Sequence, residues 1–332
     1  MEQIAFISGG TFIYWSSIIV GLGIVTAIAG FVALYYRKSG NGLAAGLMVP
    51  LCIISSLVLG RLIHWYCRTD SYVSLKSAMT DYSWGGYALM GIFAACILCA
   101  CLLRVLNISR NLPEMLDCMA LSGGAGIAVG RLASFFNSSD RGILMPENIG
   151  LPLAYPVTNG VSGVVENRLA TFMLQAIVTG IIVLALLVWC LLAKMRKKEP
   201  KDGDICLLFL GAYGASQVLF DSTRYDSLFM RSNGFVSIVQ ILGVVALVLA
   251  LVLFSVRMVR NRGMKGWFIP LWVVSAAALG LAGYMEYHVQ RHGDQALFAY
   301  SFMAAGLLVV VGMTVAIRWI GETGTKPEPI TE

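Results

Sequence analysis

The chain has 332 residues, of which 58% are hydrophobic and 13% charged, against about 45–50% and about 25% in soluble globular proteins. That balance excludes a soluble globular protein and implies an integral membrane protein, in which the bilayer replaces much of a conventional core. The net charge of +6 comes from Lys and Arg at the ends of apolar runs, without interleaved aromatics, which excludes a nucleic-acid surface.

Apolar windows of roughly 20 residues, enough to span about 30 Å of hydrocarbon, fall near 12–36, 43–64, 86–107, 115–135, 170–193, 204–222, 235–256, 267–285 and 296–317. The runs are continuous rather than alternating with period two, so the expected fold is an all-α polytopic bundle and not a barrel. It should hold about seven core helices over residues 1–260, followed by a transmembrane hairpin and short tail over 261–332. Residues 1–11 have no basic n-region and the window 12–36 is too long for an h-region, so a cleavable signal peptide is not expected.

Cys96-x-x-Cys99 in the third span has no second CxxC or His pair to complete a metal set, and its thiols read as small packing groups. The fourth span, 115–135, is the least hydrophobic. Its Ser122, Gly123, Gly124, Gly126 and Gly130 allow close helix approach, so this helix is expected inside the bundle. The segment 136–168 carries Pro146, Pro152 and Pro156 with Gly142, Gly150, Gly160 and Gly163; it is expected to be irregular, outward facing and laid over the mouth of a cavity. Between the last two spans lie Glu286, His288, Arg291, His292 and Asp294. His288 and His292 are spaced i, i+4 but lack further ligands, so the segment reads as a solvated helix end.

Basic residues set the orientation. Arg37 and Lys38, Arg104 and Arg110, the run from Lys194 to Lys201, the run from Arg257 to Lys265, and Arg318 with Lys326 all fall on one side, which should be cytoplasmic. With nine spans the N-terminus lies outside and the C-terminus in the cytoplasm.

Polar groups at membrane depth are costly and are therefore functional candidates. They are few: Arg61 and His64 end the second span, Arg131 and Ser134 the fourth, and Gln217, Asp221 and Arg224 the sixth. All are expected at outer helix ends, where with Asp140 they would line one outward-facing cavity. Tyr213, Gln217, Asp221 and Arg224 are spaced by four, four and three residues, which puts them on one inward helical stripe. Arg131 follows a helix too slim to shield it, and is expected to meet an anion.

These residues carry a resemblance. Gly130-Arg131-Leu132 with Phe135-Phe136-Asn137 resembles the prolipoprotein diacylglyceryl transferase signature GRxGNFxNGExxG, whose last glycine is Gly142. Gly60-Arg61-Leu62 is similar to GRLGY, Gly85 to Gly91 to GGMxxHG, Leu151 to Pro156 to LPWxxxP, Tyr213 to Arg224 to YGxxRxxxExxR, and Ser237 to Leu242 to SMGQIL. The resemblance covers about residues 10–258 with its fragments in the same order, except that the HPxQLYE segment has no clear counterpart in Asn167 to Phe172.

It implies a transferase of the bacterial inner membrane that moves diacylglyceryl from phosphatidylglycerol to a lipobox cysteine thiol, releasing glycerol phosphate without a metal or diffusible cofactor. Asp221, Arg131 and Ser134 then stand at catalytic positions, and Arg131, Arg224, Arg61, Gln217, Asn137 and Gly142 at positions that bind the lipid phosphate. Several positions depart from the pattern. Ser134 replaces the first signature Asn and Ser139 its Glu; Met90 replaces the GGMxxHG histidine, Gln217 the YGxxR arginine and Asp221 a glutamate. Near the N-terminus Ser16 stands where the family has tyrosine. The alternative reading is a catalytically impaired lipid-binding protein on the same scaffold. A secondary transporter ranks behind both, because no internal repeat or matched broken helices are visible.

Overall fold

A computed structural model describes residues 3–81, 86–158, 162–230, 233–292 and 295–322. Among them run α1 (Trp15–Ser39), α2 (Gly42–Cys67), the short α3 (Leu75–Thr80), α4 (Leu89–Val105), α5 (Leu112–Arg131), α6 (Thr171–Met195), α7 (Asp204–Thr223), α8 (Ile238–Arg262), α9 (Ile269–His292) and α10 (Ala296–Glu322). The fold is the expected all-α membrane bundle. Three small antiparallel hairpins accompany it: β1 (Ile4–Ser8) with β2 (Thr11–Tyr14), β3 (Ala154–Thr158) with β4 (Val165–Leu169), and β5 (Phe229–Met230) with β6 (Asn233–Ser237).

Eight of these helices are long and apolar enough to cross a membrane. The ninth window of the sequence yields only the 17 residues of α4, about 26 Å of helix at 1.5 Å per residue. It is shortened at both ends: residue 88 is extended with no side-chain cap, and Asn107, at φ +56°, stops the helix. The segment 136–168 is also more regular than expected. Its β-branched and aromatic residues pair Tyr155 with Arg168 and Val157 with Glu166, and Leu144 adds a further bridge to Arg168.

The chain divides into two compact units, residues 1–209 with 223–239, and residues 210–222 with 240–332. In the first unit α1 crosses α5 at glycines. A Cβ on Gly23 would lie 2.6 Å from the Gly126 carbonyl oxygen, and one on Gly126 2.6 Å from that of Gly23, so only glycine permits this approach. The weak hydropathy of α5 has the expected consequence: 44% of its spanning window is buried, against 11% for α1.

Caps define the helix ends. Asn41 accepts from the Ala44 N–H and Asn111 from that of Glu114, with Pro113 in the first turn of α5. The start of α7 is capped from another helix, because buried Asp117 accepts from the N–H groups of Gly203 and Cys206 at 2.8 Å each. Nearby, Asp202 takes Lys38 Nζ at 2.6 Å and the Asn111 amide at 2.5 Å. Side chains of α1, α2, α4 and α5, among them Tyr35, Met48, Leu103 and Met115, fill the core behind that end. Cys99 donates to Ser55 Oγ at 3.3 Å, so one thiol of the CxxC packs against α2.

In the second unit the carbonyl oxygen of Gly243 lies 2.5 Å from where a Cβ of Gly214 would stand. Trp272 Nε1 donates to Ser255 Oγ at 2.9 Å, tying α9 to α8, and Asn261 donates to the carbonyl of Gly321 at the end of α10.

Candidate active site

The last turn of α5 presents Arg131, and the chain then tightens into a 3-10 turn over Leu132–Phe135. Phe135 anchors that turn by meeting Tyr155 and Phe172 edge to face, with centroids 5.5 and 4.7 Å apart. The loop beyond reverses at Asp140, whose φ of +56° is left-handed, a region Asp tolerates better than most side chains. This conformation leaves the Asp140 carboxylate among cations. Arg131 Nη1 lies 2.8 Å and Arg224 Nη2 2.9 Å from the same oxygen, Oδ1. Ser134 donates to Oδ2 at 3.1 Å.

The segment after α7 locks this loop. Arg224 Nε pairs with Asp226 Oδ1 at 2.9 Å, while Asp226 Oδ2 accepts the Asp140 backbone N–H at 3.1 Å. The Tyr225 backbone N–H donates to the Arg141 carbonyl and its hydroxyl to that of Ser138. From α2, Arg68 reaches the carbonyls of Asp226 and Ser227. The result is a network of two arginines and two carboxylates at the C-terminal end of α5. Burial alone would raise the Asp140 carboxyl, but Arg131, Arg224 and the Ser134 hydroxyl outweigh it and hold its pKa down to about 2.

Asn137 accepts both the backbone N–H and the hydroxyl of Ser139, and so shapes the loop. Gly142 bonds back to the Leu169 carbonyl, and a Cβ there would stand 2.6 Å from Thr171 Oγ1. Arg61 is 1% exposed. It donates to the carbonyls of Ala78, Gly86 and Asp81, between the rings of Tyr72 and Tyr87. His64 shares a 2.8 Å hydrogen bond with the Tyr72 hydroxyl. Tyr213, Gln217 and Asp221 are all buried, as their stripe requires, and belong to the second unit. Arg131, Ser134, Asn137, Asp140 and Arg224 therefore come together, while Arg61 engages the 78–86 segment. The side chain of His292, Asp294, Gly85 and Gly160 fall outside the described residues.

Two participants lacked a sequence signal strong enough to single them out. Asp226 follows Arg224 by two places in a short polar run. Arg141 is 1% exposed: one nitrogen donates to the carbonyls of Ser134 and Asn137, and the guanidinium lies 4.7 and 4.4 Å from the ring centres of Tyr155 and Phe172. Burial lowers its pKa from the ordinary arginine value.

Chemically, two guanidiniums that each give one nitrogen to the same oxygen form a charge-assisted anion clamp. Residues 3–256 match the sequence profile described as prolipoprotein diacylglyceryl transferase. Proteins named phosphatidylglycerol–prolipoprotein diacylglyceryl transferase are similar over most of their length. That of Finegoldia magna is 26% identical over 266 residues, 79% of this chain and 99% of the relative. Those of Bacillus licheniformis and Clostridium botulinum are each 24% identical, over 80% and 74% of this chain and 96% and 94% of the relatives.

Proposed function

The chain belongs to the prolipoprotein diacylglyceryl transferase family, and from that premise we propose that it transfers diacylglyceryl from phosphatidylglycerol to a lipobox cysteine thiol of a prolipoprotein. The observation that carries the reading is the convergence of Arg131 and Arg224 on one carboxylate oxygen. A phosphodiester is likewise a monoanion whose oxygens accept hydrogen bonds from guanidinium groups.

In this mechanism the arginine pair grips the lipid phosphate. The acceptor sulfur forms a bond to the terminal glyceryl carbon as the C–O bond to phosphate breaks, and the electron pair leaves on the phosphate oxygen. Developing negative charge meets the two guanidiniums, the kind of preorganised stabilisation that costs roughly 10²–10³ in rate when one donor is removed. The thiol must lose its proton. The resemblance leaves Asp221 and His64 as candidate bases and puts Gln217 at a phosphate-binding position of the YGxxRxxxExxR spacing. Ser134 acts through the carboxylate it holds, and Asn137 and Gly142 through the loop they shape. Arg61, with donors on three carbonyls, serves the 78–86 segment.

We place the protein in the bacterial inner membrane with Arg131 toward the outside. The support is the cytoplasmic-type basic residues at the opposite ends, Arg37 and Lys38 closing α1 and Arg196 to Lys198 following α6. Residues 1–260 form the transferase domain and 261–332 an added hairpin, in keeping with a family match that ends at residue 256. The second reading, a lipid-binding protein without turnover, is favoured by Met90 and Gln217 at positions where the signature has histidine and arginine.

The test is release of glycerol phosphate from phosphatidylglycerol liposomes supplied with a lipobox peptide. Release that requires both Arg131 and the peptide cysteine is expected. Phosphatidylglycerol binding without release would replace the transferase with the second reading.

A further inference from the structure

The family signature carries its carboxylate at the place occupied by Ser139, and a serine cannot hold two arginines. Yet both are held. The Ser139 hydroxyl lies 3.3 Å from Ser134 Oγ, which itself donates to Asp140 Oδ2 at 3.1 Å. Side chains 139 and 140 therefore reach toward the same hydroxyl. A glutamate at 139 would extend further than the serine toward the hydroxyl that Asp140 also meets.

We propose that the carboxylate of the signature has moved by one residue in this chain, and that Asp140 is the positioning residue that aims Arg131 and Arg224 at the lipid phosphate. The inference rests on the transferase reading above. Three observations support it. First, the two guanidinium nitrogens share Oδ1 at 2.8 and 2.9 Å, so each cation stands within a few ångströms of the other and repels it unless an anion intervenes. Second, the Ser134 hydroxyl holds the other oxygen of Asp140, and the Asp140 backbone N–H is held by Asp226, which also fixes Arg224 through Nε. Third, Asp140 takes a left-handed backbone, which Asp tolerates better than most side chains, and from there its carboxylate meets both guanidiniums. The lowered pKa of Asp140 fits an ionised anchor and is unsuited to a proton acceptor, which separates its role from that of a base.

The experiment compares wild type, Asp140→Asn, Asp140→Asn with Ser139→Glu, and Asp140→Asn with Ser139→Gln, all purified in lipid nanodiscs and matched for folded fraction by size exclusion and circular dichroism. Glycerol phosphate release is followed as a function of phosphatidylglycerol. Asp140→Asn should lower kcat by about 100-fold, the scale of a misplaced catalytic geometry. Returning the carboxylate to position 139 should restore at least about a tenth of the wild-type rate, whereas the isosteric glutamine should not. Asp140→Asn that turns over like wild type overturns the proposal, as does a folded Ser139→Glu double variant that is no faster than its glutamine counterpart.

If wild type itself releases nothing, the transferase reading fails and the positioning claim is read from nitrogen NMR of the arginine Nη–H groups, the atoms that meet Asp140. Slow exchange at Arg131 and Arg224 should be lost in Asp140→Asn and regained with Ser139→Glu. Unchanged exchange in Asp140→Asn overturns the claim without reference to activity.

Discussion

Arg61 and Arg141 are each 1% exposed and donate to backbone carbonyls, with aromatic rings against their guanidinium faces. Arg131 and Arg224, in the same unit, keep 15% and 13% of their side chains exposed and are paired with carboxylates. The first arrangement is a fastening, because a carbonyl is part of the chain and cannot be exchanged for a ligand without unfolding it. The second is a charge-paired site, in which carboxylate side chains position the guanidiniums and the backbone does not hold them. Buried arginine is thus two different things in this protein, and its partner distinguishes them.

The largest effect should come from the clamp. Arg224→Lys keeps the charge but loses the fork that reaches Asp226 through Nε and Asp140 through Nη2. Turnover should fall by roughly 10²–10³, measured as initial rate at saturating phosphatidylglycerol. A lysine variant with wild-type kcat would erase the distinction, since a point charge would then suffice.

Next in size is Arg61→Met, which leaves the carbonyls of Ala78, Gly86 and Asp81 without this donor. The Ala78 acceptor is buried, and stranding it costs about 1–3 kcal/mol, so the thermal midpoint in nanodiscs should drop while the Kd for phosphatidylglycerol is unchanged. The converse result, weakened lipid binding with stability intact, would return Arg61 to the phosphate site in which its GRLGY-like setting places it.

The sequence makes the distinction hard to draw in advance. Nine apolar windows, the small-residue face of α5 and the buried stripe from Tyr213 to Asp221 are all legible, because each follows from a periodic or compositional pattern along one segment. Arg131 is legible for the same reason, as a charge that ends a slim helix. What Arg61 touches is not, since its acceptors are carbonyls 17 to 25 residues away and a carbonyl has no letter in the sequence. Asp226 and Arg141 escape notice because their roles depend on how two loops meet. The 17-residue length of α4 is set by backbone turns at its two ends, which hydropathy averages over.

Acid sharpens the comparison at intermediate size. The Asp140 pKa lies at about 2, below an unfolded value of about 3.9. A depressed carboxyl contributes stability that is complete above the unfolded value and disappears as pH falls toward the folded one, here about 2–3 kcal/mol between roughly pH 4 and pH 2. The thermal midpoint should therefore show no step from this group across pH 5–8 and should fall below pH 4. In Asp140→Asn that acid-side loss should be smaller, while Arg61→Met, which removes no carboxylate, should keep it in full.

The smallest effect tests the loop rather than the clamp. Tyr225 is half exposed, and its hydroxyl donates to the Ser138 carbonyl at 2.7 Å. Tyr225→Phe removes that one bond, worth about 0.5–1.5 kcal/mol, and leaves the backbone bond from Tyr225 to Arg141 in place. Because the loop stays tied through Asp226 to Asp140, kcat should change by less than about tenfold, with no change in acid sensitivity. A loss as deep as that of Arg224→Lys would mean that the clamp depends on this distant latch as much as on its own ion pairs, and that the carboxylate does not hold the arginines by itself.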